Sequence, residues 1–167
     1  MLERKASGLR KSPHYYLTDQ DIDMLKAEIN AIKADISKFK FNKGTHTGYS
    51  DDLDEVLVCG DVFPDDIYSS HPRDMMSARA VLAHEYYGHR ANQGTLLPKG
   101  SWNDEFRASY MAARDAPGLT EQDRMLLVLD AMERAKEAGV VIHWNYFMRS
   151  VVYGIDYEQT ETKADKR

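Results

Sequence analysis

Cysteine is nearly missing from this chain, with Cys59 alone among 167 residues. One thiol excludes an internal disulfide and any cysteine-built metal site within one chain. Long apolar runs are missing too: none approaches the ~20 residues that a membrane-spanning helix needs, so no membrane role is expected. The first eleven residues carry Arg4, Lys5, Arg10 and Lys11 without an apolar stretch. They do not read as a secretory signal, and a cytoplasmic location is the expectation. Nor is there an excess of basic charge. Lys and Arg number 22 against 27 Asp and Glu, a net −5, which argues against nucleic acid as a partner.

What basic charge there is gathers at the two ends, the far one carrying Lys163, Lys166 and Arg167. This predicts a flexible basic arm over residues 1–17, a single domain over 18–157 and a disordered tail over 158–167. The arm is expected to have linked the domain to a larger phage or bacterial toxin-like protein. A domain of this length buries roughly 70% of its unfolded surface and needs no staples.

Helical punctuation dominates the domain. Thr18 with Asp21 reads as a capping pair, followed by an apolar stripe of Ile22, Leu25, Ile29, Ile32, Ile36 and Phe39 at steps of three and four. Ser101 with Asp104, and Thr120 with Asp123, mark two further starts. Ala116-Pro117-Gly118 and Gly139 mark stops. A last helix is expected over Ile142 to Tyr153, ended by Gly154. Between Phe39 and Phe63 the pattern shortens to strands, with a turn at Asn42-Lys43-Gly44 and a buried strand at Val56-Leu57-Val58-Cys59. The fold class is therefore α+β, mainly helical, with about five helices and a small sheet near residues 39–63. The acidic run from Asp51 to Asp66 lacks the regular spacing of a calcium loop.

The most informative segment is Val81-Leu82-Ala83-His84-Glu85-Tyr86-Tyr87-Gly88-His89-Arg90. Two histidines and a glutamate on an apolar helix suit the task of holding a divalent metal and deprotonating its water. The familiar spacing is HExxH, which puts both rings on one face. Here the histidines stand five apart, about 140° around a regular helix. One metal can take both only if the helix widens by a residue, as in a π-bulge, or ends near Gly88 and swings His89 back.

A catalytic zinc wants three protein ligands and an open fourth position. On the helix that Ser101 opens, Glu105, Ala108 and Ala112 share a stripe. Alanines let helices approach closely, and the loop from Arg90 to Gly100 can return the chain antiparallel. Glu105 is accordingly the expected third ligand, with the neighbouring Asp104 as the cap.

His84-Glu85-Tyr86-Tyr87-Gly88-His89 resembles the HExxGH variant of the dipeptidyl peptidase III family, within the gluzincin-type zincin metallopeptidases. The run Glu105-Phe106-Arg107-Ala108 resembles the glutamate-plus-alanine helix of other small zincins. The resemblance covers roughly residues 77 to 115. It implies a minimal zincin-like architecture holding Zn2+, with His84, His89 and Glu105 as ligands and Glu85 as general base. Those peptidases are several times longer, with a wider gap before their glutamate, so their substrate range does not carry over.

The expected activity is hydrolysis of peptide bonds in a peptide or protein substrate. An oxyanion needs a further donor, and His143, Tyr146 and Tyr153 are the candidates, His143 being preferred. Asp130 is a candidate to orient a ligand histidine. The alternatives are a non-catalytic zincin-like metal-binding domain and a metal-free helical interaction protein with core histidines. A di-iron bundle needs two E-x-x-H motifs, and the chain has none.

Overall fold

A computed structural model describes residues 10–65, 71–94 and 96–154. Its first helix, α1 (Asp19–Ala31), starts at the expected place. Thr18 accepts from the Asp21 backbone N–H and Asp21 accepts from that of Thr18, a closed capping box. Leu25, Ile29 and Ile32 are fully buried. The helix does not continue along the predicted stripe to Phe39. It stops in a Schellman arrangement, Ala34 N–H donating to Ile29 O and Lys33 N–H to Asn30 O. Lys33 holds the left-handed conformation that glycine usually supplies, with φ 57°. Ile36 then lies in a single 3₁₀ turn and is 45% exposed, so it is not a core position.

The small sheet is found where it was expected. It comprises β1 (Phe39–Phe41), β2 (Gly48–Ser50) and β3 (Glu55–Val58) in the order β1-β3-β2. β3 is central, parallel to β1 with Phe39 opposite Val56, and antiparallel to β2 with Tyr49 opposite Val56. Val56 and Val58 point into the core at 0% exposure. β2 is left as an edge.

The helical half follows. Short α2 (Pro72–Met75) starts on its proline, whose missing N–H costs nothing in a first turn. α3 (Ala78–Ala83), capped by Ser77, runs on into a π-helical segment, His84–His89. α4 (Trp102–Asp115) begins at the Ser101 cap and α5 (Glu121–Glu137) at the Thr120–Asp123 capping box. α5 ends as read, with Gly139 at φ 75° and Val140 N–H donating to Ala135 O. α6 (Tyr146–Tyr153) is shorter than predicted, because Asn145 caps it by accepting from Met148 N–H. Ile142 to Asn145 are not helical. The described residues thus form an α+β domain dominated by its six α-helices.

Part of the predicted arm belongs to this body. Residues 1–9 and the tail 158–167 lie outside the described residues, but Leu17 is 1% exposed. The Arg10 guanidinium is spent on backbone carbonyls, reaching Asp61 and Val62 on one side and Arg73 and Met76 on the other. Burial is the largest influence on this cation and lowers its pKa to about 10. Arg10 fastens the sheet's exit to the segment that leads into α3, whose π-helical continuation carries the two histidines.

Candidate metal centre

The five-residue spacing is resolved by local geometry. Between His84 and His89 the backbone adopts a π-helix, which widens each turn by about one residue and returns both rings to one side. Their centroids lie 4.8 Å apart. The two tyrosines between them face the other way. Tyr87 donates its hydroxyl to Ile32 O at 2.7 Å, satisfying a carbonyl left open where α1 ends. Tyr86 stacks on Phe39 at 5.5 Å and accepts from Asp35 N–H. The intervening residues therefore lock the widened turn to α1 and β1.

Gly88 explains the closeness of the next wall. A Cβ built there would stand 2.7 Å from the Ala108 Cα and nearer still to its carbonyl oxygen. Ala108 and Ala112 are buried at 1% and 0% exposure, so the two backbones meet across small residues, as the alanine stripe suggested. Gly88→Ala is expected to force α4 away. The cost is at least the ~1–3 kcal/mol of ordinary overpacking, because backbone rather than a pliable side chain is in the way. A thermal melt of the metal-free protein checks this, and an unchanged Tm would show that the contact yields.

Three expected ligands converge across that contact. His84 Nε2 lies 3.1 Å and His89 Nε2 3.2 Å from the same oxygen, Glu105 Oε1. Ligands of a tetrahedral zinc with bonds near 2.0–2.1 Å stand about 3.4 Å apart, so small relaxations suffice. One ligand-type atom from each of His84, His89 and Glu105 lies within 4.8 Å of the other two, close enough to share one ion. A second such group, His71, Glu133 and Glu137, lies on a more open face, where Arg73 already takes Glu137 at 3.0 Å.

Behind these residues stands a polar shell that orients the His84 ring. Ser109 donates its hydroxyl to Asp130 Oδ2 at 2.6 Å, so it must accept from His84 Nδ1, 2.8 Å away. Nδ1 is thereby made the donor to Ser109, which aims Nε2 at Glu105. Asp130, the candidate orienting carboxylate, acts through this serine. It is 0% exposed and pinned by Arg134 Nε at 2.8 Å and Arg73 Nε at 3.3 Å. Burial disfavours its charge, but Arg134, His84 and Ser109 outweigh that and hold the carboxyl below its usual range. Ser101, not Asp104, is the cap of α4; Asp104 accepts from Gly100 N–H at 2.9 Å and stands 3.7 Å from His89 Nδ1.

Glu85 sits beside His84, 9% exposed. Burial dominates and raises its pKa. His84 and His89 oppose the rise and Glu105 adds to it. Glu105 differs: burial again disfavours the charge, but hydrogen bonds from both histidines hold it far below the normal carboxylate range. Two carboxylates in one site are thus driven in opposite directions, an arrangement common where one binds and the other moves protons.

The group opens into a cleft of about 560 Å³. Its far wall includes His46, Thr47, Gly48 and Tyr49, at the edge strand β2. Asp54 ties that wall to the end of the histidine-bearing helix, accepting from Lys38 Nζ at 2.9 Å, Tyr49 Oη at 2.8 Å and Arg90 Nε at 3.0 Å. Within the acidic run, Asp54, Glu55 and Asp61 are taken up by ion pairs and hydrogen bonds, Asp61 accepting from Thr47 at 2.6 Å, and Asp66 lies outside the described residues.

The preferred oxyanion donor, His143, is not brought in. It is exposed in the extended stretch before α6 and does not line the cleft, because the helix meant to carry it starts three residues later. Tyr146 and Tyr153 do not line it either. Ser109 and Arg134 were missed, although both were within reach. Ser109 lies four residues after Glu105 on the same stripe, and Arg134 lies four after Asp130. Protein-family models, curated proteins and solved structures were compared with the chain, and none matches it, so the site is read from its own residues.

Proposed function

We propose that the chain is a zinc-dependent hydrolase of peptide bonds, with His84, His89 and Glu105 as ligands and Glu85 as general base. One observation carries the reading. Two imidazole nitrogens lie within 3.2 Å of one carboxylate oxygen in a cleft, with a second, buried carboxylate beside them. Without an ion there, each contact is held by a proton on the imidazole nitrogen, the place that a metal ion would take. Zinc there would supply Lewis acidity and bring a water's pKa towards neutrality.

The chain's own groups supply the rest. Glu85 takes a proton from the attacking water and returns it to the leaving amine. Its raised pKa suits both transfers. Ser109 and Asp130 hold the His84 ring in the ligating tautomer. The edge of β2 offers backbone groups to an extended peptide, a mode in which main-chain hydrogen bonds supply affinity.

The test is metal analysis of purified protein together with cleavage profiling on a peptide library. About one zinc per chain and cleavage that a chelator abolishes are expected. His89→Ala should lower metal content sharply. Unchanged stoichiometry in that variant would exclude His89 as a ligand and end the proposal.

A further inference from the structure

The cleft contains several cations, and most of them are committed. Arg10 is held by backbone carbonyls, Arg107 pairs with Asp104 at 3.4 Å, and Lys99 reaches Asp51 at 3.7 Å. Arg134 is different. Its Nε is fixed on Asp130 at 2.8 Å, and its Nη1 stands 3.5 Å from Glu105 Oε1, the oxygen that both histidines face. Its Nη2 has no hydrogen bond or ion pair among the described residues, and the side chain lines the cleft with Glu85. Because Asp130 is buried and also held by Arg73, the guanidinium is anchored from behind and presents its outer edge to the cleft.

From this juxtaposition of an anchored guanidinium, the shared Glu105 oxygen and the cleft, we infer that Arg134 is the donor that receives the tetrahedral oxyanion. This rests on the hydrolase reading above. The water oxygen bonds to the substrate carbonyl carbon, and the C=O π pair moves onto the carbonyl oxygen while Glu85 accepts the water's proton. Arg134 donates to that oxygen. When the pair returns, the C–N bond breaks and Glu85 protonates the amine. A preorganised donor aimed at developing charge is usually among the largest contributions to such catalysis. Arg134 takes the place expected of His143.

Inorganic phosphate, a tetrahedral anion, probes this without turnover. Protein loaded with cobalt(II) is titrated with phosphate and separately with neutral imidazole, following the visible d–d spectrum. In Arg134→Gln, phosphate should bind about tenfold to a hundredfold more weakly, the loss expected for one charge-assisted hydrogen bond, while imidazole binds as in wild type. Unchanged phosphate affinity overturns the proposal, and so does an equal loss for imidazole, which would mark Arg134 as merely positioning Glu105. If Arg134→Gln does not fold, Asp130→Asn/Arg134→Gln is compared with Asp130→Asn under the same criteria, since the buried carboxylate no longer demands its partner. Wild type that takes up no cobalt overturns the metal centre and this subsite together, whereas cobalt uptake with unaltered phosphate binding overturns the subsite alone.

Discussion

Glu85→Gln is expected to keep its zinc and lose its hydrolysis. The side chain is replaced by one of the same shape, and the three converging atoms belong to His84, His89 and Glu105, so coordination survives. The amide can neither take the water's proton nor return it, and general-base catalysis contributes about 10²–10⁴-fold. kcat should fall by that order with KM little changed, because the cleft walls at β2 are untouched. A second readout separates this from damage. Burial raises the Glu85 pKa, so its ionised form weakens folding as pH rises above the ordinary carboxyl value. Removing the charge should leave the Tm of the metal-free protein at pH 7 equal or higher. A variant that holds zinc, melts no lower and still turns over would remove Glu85 from the mechanism. If wild type holds zinc and cleaves nothing, the non-catalytic metal-binding reading takes over.

The parts of this molecule that were legible in the sequence are those governed by short-range chemistry. Thr18–Asp21, Ser101–Asp104 and Thr120–Asp123 all form the caps their spacing announces, because a cap is complete within four residues. The widened turn was legible for a related reason: two histidines five apart can face one side only if the backbone widens or ends between them. What escaped depends on partners distant in sequence. α1 ends where Tyr87, 55 positions away, takes the Ile32 carbonyl, and Lys33 accepts a left-handed φ without a glycine to announce it. The stripe through Ile36 and Phe39 was real as a pattern but ran across a helix end into a strand. Of the groups that make the burial of Asp130 tolerable, Arg134 lies on its own helix, but Ser109 and Arg73 come from α4 and α2. His143 failed because a cap at Asn145 shortens the helix that would have carried it.

Zinc affinity is expected to climb steeply with pH, because the metal must displace a proton from His89. Burial disfavours charge on that ring, but the hydrogen bond to Glu105 and the charges of Glu85, Glu105 and Asp104 outweigh it and raise the pKa to about 9. At pH 7 the metal-free chain therefore holds its ligand cage together with a proton. Each unit of pH below about 9 should cost about tenfold in apparent affinity, since one proton leaves per ion bound, roughly a hundredfold between pH 6 and pH 8. The metal-free protein should respond in the opposite sense. A His pKa raised above its unfolded value of 6.5 adds stability that is complete below 6.5 and is lost as pH rises through about 9. That amounts to about 3 kcal/mol, shared with Glu105 because it is the same contact. Glu105, held far below the normal range, contributes stability present above the ordinary carboxyl value and lost as pH falls. Metal-free protein should thus be most stable in mildly acidic solution and weaken towards pH 9, while zinc-loaded protein, whose His89 has no proton to lose, should change little over the same interval. Thermal melts of both forms at pH 6 and pH 8.5, paired with competition titrations against a chelator of known affinity, measure the two trends. Parallel curves, or an affinity flat between pH 6 and pH 8, would mean that His89 does not carry the proton zinc has to replace.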